Sequence, residues 1–266
     1  MKIITETTTL EEMGGKGYQL SLLNDICHVP KFFVLSFDTI DEINNKSVQM
    51  EILEYFDKFK FKIVAVRSSA TKEDSLLSSF AGMFETTLNV TKEKLIYEIK
   101  KILTSCNNER VKEYCSLNNI EYKEVKMRIV IQEMIDSRIS GVCFSKANKE
   151  QNNLIIEAGL GLGEAIVSGR ITPDLYIVNI NNLDVIETKI NYQGKMLRRH
   201  DNKEKYEDVP YYQRYIKKMT NKEIKEVAEE VLKIEKELKY KAADVEWAYD
   251  GEKLYILQAR QFTGVL

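Results

Sequence analysis

Apolar positions along this chain follow two different spacings, which predict a mixture of strands and helices. Compact runs rich in β-branched residues are typical of buried strands. Such runs occur at residues 61–67, 126–135, 141–145, 154–157 and 175–180, and a terminal hairpin is predicted from residues 243–248 and 254–260.

Longer segments with apolar residues at helical spacing are predicted at 17–24, 91–105 and 220–241. The last begins with Thr220 and Glu223, which have the spacing of a capping box. Its apolar stripe is interpreted as a core face rather than a partner surface and consists of Ile224, Val227, Val231, Ile234 and Leu238. Strands and helices interleave without a regular βαβ order, so the predicted fold class is α+β, or mixed α/β.

Two polar stretches suggest how the chain is divided. A predicted strand ends at residues 135–140, and a boundary there gives lobes of ordinary domain size, 1–135 and 136–266. The second stretch, 193–211, is long for a loop, and we interpret it as either functional or mobile.

Composition excludes several classes of protein. The 39 Lys and Arg nearly balance the 41 Asp and Glu among 266 residues, which argues against a nucleic-acid-binding surface. The four cysteines lack metal-site spacing and there are only two histidines, so no zinc site is predicted. No signal peptide or membrane-length apolar run is visible, and the predicted location is the cytoplasm, with no membrane partner.

The first candidate for chemistry is the run Gly14-Gly15-Lys16-Gly17 ahead of a predicted helix. Glycines can expose backbone N–H groups to an anion, a helix N-terminus attracts negative charge, and Lys16 adds a formal charge. The spacing of a Walker A loop is absent. An ordinary helix start with a surface lysine explains the pattern equally well.

The second candidate follows the predicted strand that ends at Arg67. A guanidinium at a strand exit can bind an anion through two parallel N–H groups. The small residues behind it, in the stretch 68–82, are typical of a flexible phosphate lid, and the hydroxyl donors are Ser68, Ser69, Thr71, Ser78 and Ser79. A polar surface loop explains the serines but leaves the arginine unexplained.

A third candidate, the glycine-rich stretch 157–164, lacks the spacing of a dinucleotide-binding loop. Its glycines favour close backbone approach, either to a ligand or to another strand.

The terminal hairpin supplies the fourth candidate, because strand parity places Asp244 with Glu246, and Gln258 with Arg260. A two-residue turn would put Gln258 on the face opposite Glu246. A three-residue turn, 250–252, would put Asp244 opposite Gln258 and Glu246 diagonal to it. In that second register a carboxylate and an amide oxygen converge beside an arginine, which suits Mg²⁺. A surface hairpin with ordinary charge alternation remains the alternative.

Taken in order along the chain, these motifs resemble one known family. The similarity is to the N-terminal nucleotide-binding domain of phosphoenolpyruvate synthase, pyruvate phosphate dikinase and rifampicin phosphotransferase, an ATP-grasp fold that has two lobes with the nucleotide between them. The matching stretches are GGKGYQLSLL (14–23), VRSSATKEDSLLSSFAGMFETTLNV (66–90), VIQEMIDSRISGVCFS (130–145), EAGLGLGEAIVSGRITPDLYIV (157–178) and DVEWAYDGEKLYILQAR (244–260).

The resemblance implies a role for each matching position. Lys16, Arg67 and Arg260 match residues that bind the ATP phosphates, and they are the implied catalytic residues. Glu246 and Gln258 match the Mg²⁺ ligands, and Asp244 matches an acidic residue beside the nucleotide. The stretch 68–82 matches the lid, whose implied binding residues are Ser68, Ser69, Thr71 and Gly82. The inter-lobe strand whose backbone reads the adenine edge is matched by Gln132, Glu133, Met134 and Ile135.

The implied activity is transfer of a phosphoryl group from ATP to a histidine on a swivelling domain, and from there to pyruvate or a drug on a further domain. Neither His28 nor His200 lies in the Thr/Gly/Ser-rich context of that histidine. We therefore expect this chain to bind ATP and Mg²⁺ and to depend on a phosphohistidine domain or subunit elsewhere. A truncated piece, one subunit of a split enzyme and a stand-alone relative all fit, and the alternative function is an ATP sensor without phosphoryl transfer.

Overall fold

The structure is a computed structural model that describes residues 1–71, 74–75, 78–79, 86–105, 113, 116, 121, 125–145, 153–200 and 203–262. Helices and antiparallel sheets are mixed, so the predicted α+β class is confirmed. The chain divides into two compact units, one made of Met1–Ser21 and Pro30–Met134, the other of Leu22–Val29 and Ile135–Leu266.

The first unit is built on a five-stranded sheet with the order β1-β2-β7-β3-β6. In chain order its elements are β1 (Lys2–Ile4), α1 (Leu10–Asn24, whose last residues belong to the second unit), β2 (Phe32–Ser36), a 3-10 helix (Ile40–Asn44), α2 (Lys46–Lys58), β3 (Val64–Ala70), the short pair β4 (Asp74–Ser75) and β5 (Ser78–Ser79), β6 (Thr86–Val90), α3 (Lys92–Ser105) and β7 (Met127–Glu133).

The two faces of this sheet are covered differently. One face forms the apolar core with α2 and α3, where the alternate strand residues Val64, Val66, Ile129 and Ile131 are buried. On the other face α1 approaches β3, because Gly17 N–H donates to Ser69 Oγ at 3.0 Å. The second face is the one that bears Arg67 and Gln132.

The second unit is built on a six-stranded sheet with the order β11-β10-β9-β8-β14-β15. Its elements are β8 (Ile139–Ser145), β9 (Asn153–Leu160), α4 (Glu164–Val167), β10 (Asp174–Asn179), β11 (Val185–Lys189), β12 (Lys195–His200), β13 (Lys203–Asp208), a 3-10 helix (Tyr211–Gln213), α5 (Asn221–Glu237), β14 (Ala243–Tyr249) and β15 (Leu254–Gln261).

Helix α5 covers one face of this sheet, as its apolar stripe predicted. Ile224, Val227, Val231 and Ile234 are fully buried in a core that also contains Trp247. Thr220 and Glu223 form the predicted capping box at its N-terminus. The opposite face of the sheet is polar along β14 and β15.

The unit boundaries differ in detail from the division into 1–135 and 136–266. Ile135 lies in the second unit, and so does the segment Leu22–Val29. The reason is packing within that unit, since Leu23 is buried in its core and Ile256 N–H donates to His28 O at 2.8 Å. None of the helices in the described ranges combines the length and apolar character needed to cross a bilayer.

Residues 193–211 are not the long loop that their composition predicted. Apart from 201 and 202, which lie outside the described residues, they form the antiparallel pair β12–β13 and flanking segments. β12 is basic, β13 mixes acidic residues with two lysines, and ion pairs such as Lys195–Asp208 and Arg198–Glu207 join the two strands. The hairpin gives no apolar run by which it could be predicted, because most residues of its two strands are charged.

Candidate functional site

The glycines of the first motif let α1 lie close to β3. At Gly14 the helix is interrupted by non-helical backbone, with φ 70° and ψ 175°. A Cβ at that position would lie 2.1 Å from Ser69 O, and one at Gly17 would lie 2.9 Å from Val34 Cγ2. Two of the glycines therefore have a structural explanation that requires no bound anion. Lys16 lies between them and is half-buried.

Arg67 and Ser69 lie on the face of β3 that α1 approaches, since they are two residues apart on one strand. Arg67 is half-buried, and its Nη1 donates to Gln132 Oε1 at 3.0 Å. Lys16 immediately precedes Gly17, the residue bonded to Ser69. The first unit thus places the two predicted cations on the same side of its sheet.

The hydroxyl groups predicted for the phosphate lid have other surroundings in this structure. Ser68 is fully buried on the opposite, apolar face, and its Oγ has no hydrogen-bond partner among the described residues. Ser69 Oγ donates to Met13 O at 2.9 Å while accepting from Gly17, and Thr71 Oγ1 accepts from Lys126 N–H at 3.1 Å. Gly82 and much of the stretch 68–82 lie outside the described residues, as do the side chains of Ser78 and Ser79.

The segment predicted to read adenine contains the end of β7. Gln132 is paired with Phe32 on one side and Ala65 on the other, so its backbone takes part in the sheet. Beyond it, Glu133 N–H donates to Lys31 O at 2.8 Å and Met134 N–H donates to Ile63 O at 3.1 Å.

The N–H groups of Glu133 and Met134 therefore already donate hydrogen bonds to carbonyl groups of the first unit. Backbone recognition of a base would have to use other groups of the segment, such as the main chain of Ile135.

The terminal hairpin brings its four polar residues together in a register that neither predicted turn gives. Tyr249 pairs with Leu254, so the turn has four residues, 250–253, rather than two or three. The register then shifts between Glu246 and Trp247, which places Glu246 directly opposite Gln258 and Asp244 directly opposite Arg260. The extra residue in β15 is Leu257, a β-bulge.

The bulge also corrects the predicted apolar face of β15. Strict alternation along β15 would place Tyr255, Leu257 and Ala259 on this face, but the buried residues are Leu254, Ile256 and Ala259. Strict alternation fails because one residue of β15 has no opposite on β14. Because the turn has four residues and β15 has one extra residue, the four polar residues lie on one face of the hairpin.

On this polar face Arg260 is held by Asp244. The Nε and Nη2 atoms of Arg260 both contact Oδ2 of Asp244, at 2.8 Å and 2.7 Å. Asp244 is 8% exposed, and a buried carboxylate of this kind needs a cationic partner. The ion pair fixes the guanidinium beside the Glu246–Gln258 pair.

Glu246 and Gln258 fit the chemistry of a Mg²⁺ site. Directly opposed strand residues have Cβ atoms about 5 Å apart, close enough for a carboxylate and an amide oxygen to share one ion. Mg²⁺ usually takes one or two protein oxygens and completes its octahedron with water and phosphate oxygens. Within the described part of the chain no group of three or more His, Cys, Asp or Glu side chains has metal-site geometry.

One carboxylate on the same sheet face was missed by the sequence analysis. Glu157 and Glu246 are both paired with Val142 of β8, one from each side, so the three side chains form a row. Desolvation by burial raises the pKa of Glu157. Strand parity along β9 is the signal that indicates this residue.

The third motif has a structural explanation in its glycines. Gly161 has φ 91°, and a Cβ there would lie 2.4 Å from Leu197 O. Its carbonyl accepts hydrogen bonds from Ser137 Oγ at 2.9 Å and Ser140 Oγ at 2.6 Å. Of the two alternatives for this motif, close approach to another strand is the one observed.

The geometry therefore defines two chemically distinct polar surfaces. The first unit presents Lys16 and Arg67, which suit phosphate oxygens. The second presents Asp244, Glu246, Gln258 and Arg260, which combine oxygen ligands for a hard cation with a further guanidinium.

Comparison with known proteins assigns the chain to a family. Residues 45–265 match the family model described as pyruvate phosphate dikinase, AMP/ATP-binding domain. The chain therefore belongs to this family of nucleotide-binding phosphotransferase domains, as the resemblance of its motifs indicated. The α+β architecture agrees with the ATP-grasp fold expected for it.

Similar curated proteins are much longer than this chain. A probable phosphoenolpyruvate synthase of Methanocaldococcus jannaschii is 37% identical over 204 residues, which is 75% of this chain and 17% of that protein. The uncharacterized phosphotransferase YvkC of Bacillus subtilis is 36% identical over 223 residues, covering 81% of this chain and 26% of that protein. The chain thus spans about a quarter or less of the length of these relatives.

Among solved structures, similarity extends to D-alanine–D-alanine ligases. The enzyme from Helicobacter pylori has a TM-score of 0.44 and 13% identity, over 96% of this chain and 55% of the ligase. The Bacillus anthracis ligase complexed with ATP has a TM-score of 0.41 and 11% identity, over 92% of this chain and 55% of that one. Scores this low do not by themselves define a shared fold.

Proposed function

We propose that this chain is the ATP·Mg²⁺-binding part of a phosphotransferase that passes a phosphoryl group from ATP to a histidine on a separate domain or subunit. The observation that carries the proposal is the register of β14 and β15, which sets Glu246 opposite Gln258 and Asp244 opposite Arg260. Membership of the AMP/ATP-binding family supports the nucleotide, and the names of the longer relatives support phosphoryl transfer.

The cations act on the phosphates. Lys16, Arg67 and Arg260 bind phosphate oxygens and stabilise the charge that develops on the transferred group. Phosphoryl transfer requires positioning and charge stabilisation more than covalent chemistry, so no general base is assigned. Arg67 is suited to this task because it is half-buried, where a charge–charge contact is screened less than at an exposed site.

Glu246 and Gln258 would hold the metal ion, which would supply positive charge to neutralise the phosphates. Asp244 has a different task, since it orients Arg260 through its ion pair. The base of the nucleotide is read by the segment that ends β7, with Ile135 offering backbone groups beyond the used N–H groups of Glu133 and Met134.

Isothermal titration with ATP and Mg²⁺ tests the binding part of this proposal. The unmodified chain should bind ATP with Mg²⁺, and the double variant Arg67→Ala plus Glu246→Ala should lose at least a hundredfold in affinity. A matched control removes one exposed cation and one exposed carboxylate on helices, Lys94→Ala plus Glu229→Ala, and should bind as the unmodified chain does. Equal affinities in both double variants would contradict the proposal.

Turnover provides a separate test of the transfer step. Without an acceptor histidine the chain should hydrolyse ATP slowly or not at all, which a phosphate-release assay measures. Adding a phosphohistidine domain from one of the phosphoenolpyruvate synthases should produce acid-labile phosphate on that domain. Rapid steady-state hydrolysis by the chain alone would show that water is the acceptor instead.

A further inference from the structure

Gln132 is a polar side chain in an apolar setting. It is 3% exposed and lies in β7, the strand between β2 and β3. Its pairing partner on β3 is Ala65, and the neighbouring residue on the same face of β7 is Val130. Burying an amide among such residues costs free energy unless its polar atoms are hydrogen-bonded, so a specific interaction must account for this glutamine.

That interaction is with Arg67. Because Gln132 is opposite Ala65, and Arg67 follows Ala65 by two residues, the two side chains are diagonal neighbours on one sheet face. Gln132 Oε1 accepts from Arg67 Nη1 at 3.0 Å. A guanidinium carries its five donors in a rigid plane, so a bond to one nitrogen orients the others.

We propose that Gln132 is a positioning residue for Arg67, holding the guanidinium in the orientation in which it binds the phosphates of ATP. This inference rests on the proposed function and adds a role that the resemblance did not give, since the resemblance implied only that the backbone of residues 132–135 reads adenine. The Gln132 side chain would then influence the phosphates and not the base, although its strand continues into the segment assigned to adenine.

The two roles predict different dependences on the number of phosphates. If Gln132 orients Arg67, its replacement should weaken binding of ATP and ADP, which reach Arg67, and leave AMP almost unchanged. If Gln132 acts on the base or only on stability of the sheet, all three nucleotides should weaken together. The ratio of ATP affinity to AMP affinity is therefore the decisive measurement.

Titration calorimetry with ATP, ADP and AMP, each with Mg²⁺, should be carried out on Gln132→Leu, Gln132→Glu, Arg67→Ala and the double variant Gln132→Leu plus Arg67→Ala. Thr87→Val is the matched control, because it removes another side-chain hydrogen bond from the same sheet, that of Thr87 Oγ1 to Glu98 Oε2 at 3.2 Å. Circular dichroism identifies any variant that fails to fold.

Gln132→Leu should lower the ATP affinity about tenfold and change the AMP affinity less than twofold. Gln132→Glu keeps an acceptor for Arg67, so it should lower the ATP affinity much less than Gln132→Leu does. In the Arg67→Ala background Gln132→Leu should have no further effect. Parallel losses for ATP and AMP, or additive losses in the double variant, would overturn the positioning role while leaving ATP binding intact. An unmodified chain that binds no nucleotide would overturn the proposed function and this inference together.

Discussion

Replacing Gly14 by alanine should strongly destabilise the first unit. Two effects combine at this position. The backbone, with φ 70° and ψ 175°, lies in a region that is open essentially only to glycine, and other residues there cost about 1–3 kcal/mol. The added methyl group would also lie 2.1 Å from Ser69 O, a backbone atom that cannot move aside cheaply.

Overpacking of a close contact costs about 1–3 kcal/mol. The sum, about 2–6 kcal/mol, is a large part of the 5–15 kcal/mol that stabilises a typical domain. Since Lys16 follows Gly14 closely and α1 is held to β3 at Ser69, the substitution should also weaken ATP binding by displacing the start of the helix.

Urea unfolding separates the two effects when Gly169→Ala is used as the control. Gly169 has the same φ of 70°, yet a Cβ there has nothing within 4 Å, so only backbone strain of about 1–2 kcal/mol is expected. Far-ultraviolet circular dichroism follows both units, and the single tryptophan, Trp247, reports on the second. If Gly14→Ala lowers the free energy of unfolding by no more than Gly169→Ala does, the close contact between α1 and β3 is not the reason for glycine at position 14.

Three further predictions concern the second unit. Thr220→Ala removes the cap that accepts from Glu223 N–H at 3.2 Å, and should lower the free energy of unfolding by about 1 kcal/mol in urea titrations followed by tryptophan fluorescence. Lys218→Met leaves Asp174 buried without the cation that lies 3.2 Å from it, and should cost about 3–5 kcal/mol; a thermal melt that does not shift would refute this. Burial, reinforced by Glu230, raises the pKa of Cys27 to about 12, so mass spectrometry should find this thiol alkylated by iodoacetamide at pH 8.5 far more slowly in the native protein than in urea. Because the folded pKa is the higher one, the contribution of this thiol to stability should be complete below its unfolded pKa of about 8.5 and be lost as the pH rises toward 12; equal alkylation rates in both states would contradict the assignment.

Elements with a strong apolar pattern could be predicted from the sequence. The strand predicted at 61–67 is β3, observed at Val64–Ala70, and the helix predicted at 220–241 is α5, observed at Asn221–Glu237. β3 is an almost continuous run of buried residues and α5 has buried residues at helical intervals, and an apolar pattern reveals both. Strands β12 and β13 escaped prediction because their charged residues pair with one another and give no apolar period.

Strand parity predicted only part of the arrangement of the terminal hairpin, β14 and β15. Alternation correctly grouped Asp244 with Glu246 and Gln258 with Arg260, because each pair lies within an uninterrupted stretch of strand. It could not fix the pairing between the strands, which depends on a four-residue turn and on the bulge at Leu257. Two departures from regularity, neither visible in the pattern, set the register that the proposed metal site requires.

For the candidate binding residues, the sequence indicated which side chains to consider but not what surrounds them. Arg67 was expected to face an anion, but nothing in the spacing of the motifs indicated that Gln132, 65 positions further along, holds it. Ser69 was expected to bind phosphate, and nothing in the motif indicated that its hydroxyl joins α1 to β3. Contacts between distant parts of the chain arise from the packing of elements, and local pattern carries no information about them.

The short segment Leu22–Val29 has a practical consequence for dissecting this protein. It contributes Leu23 to the interior of the second unit and a carbonyl, that of His28, to the backbone of β15. Expression of residues 135–266 alone would therefore leave a hole where that leucine sits and an unsatisfied amide in the strand next to the hairpin's polar residues. A separately produced C-terminal fragment should need the 22–29 peptide, added in trans or fused, before its spectra can be compared with those of the whole chain.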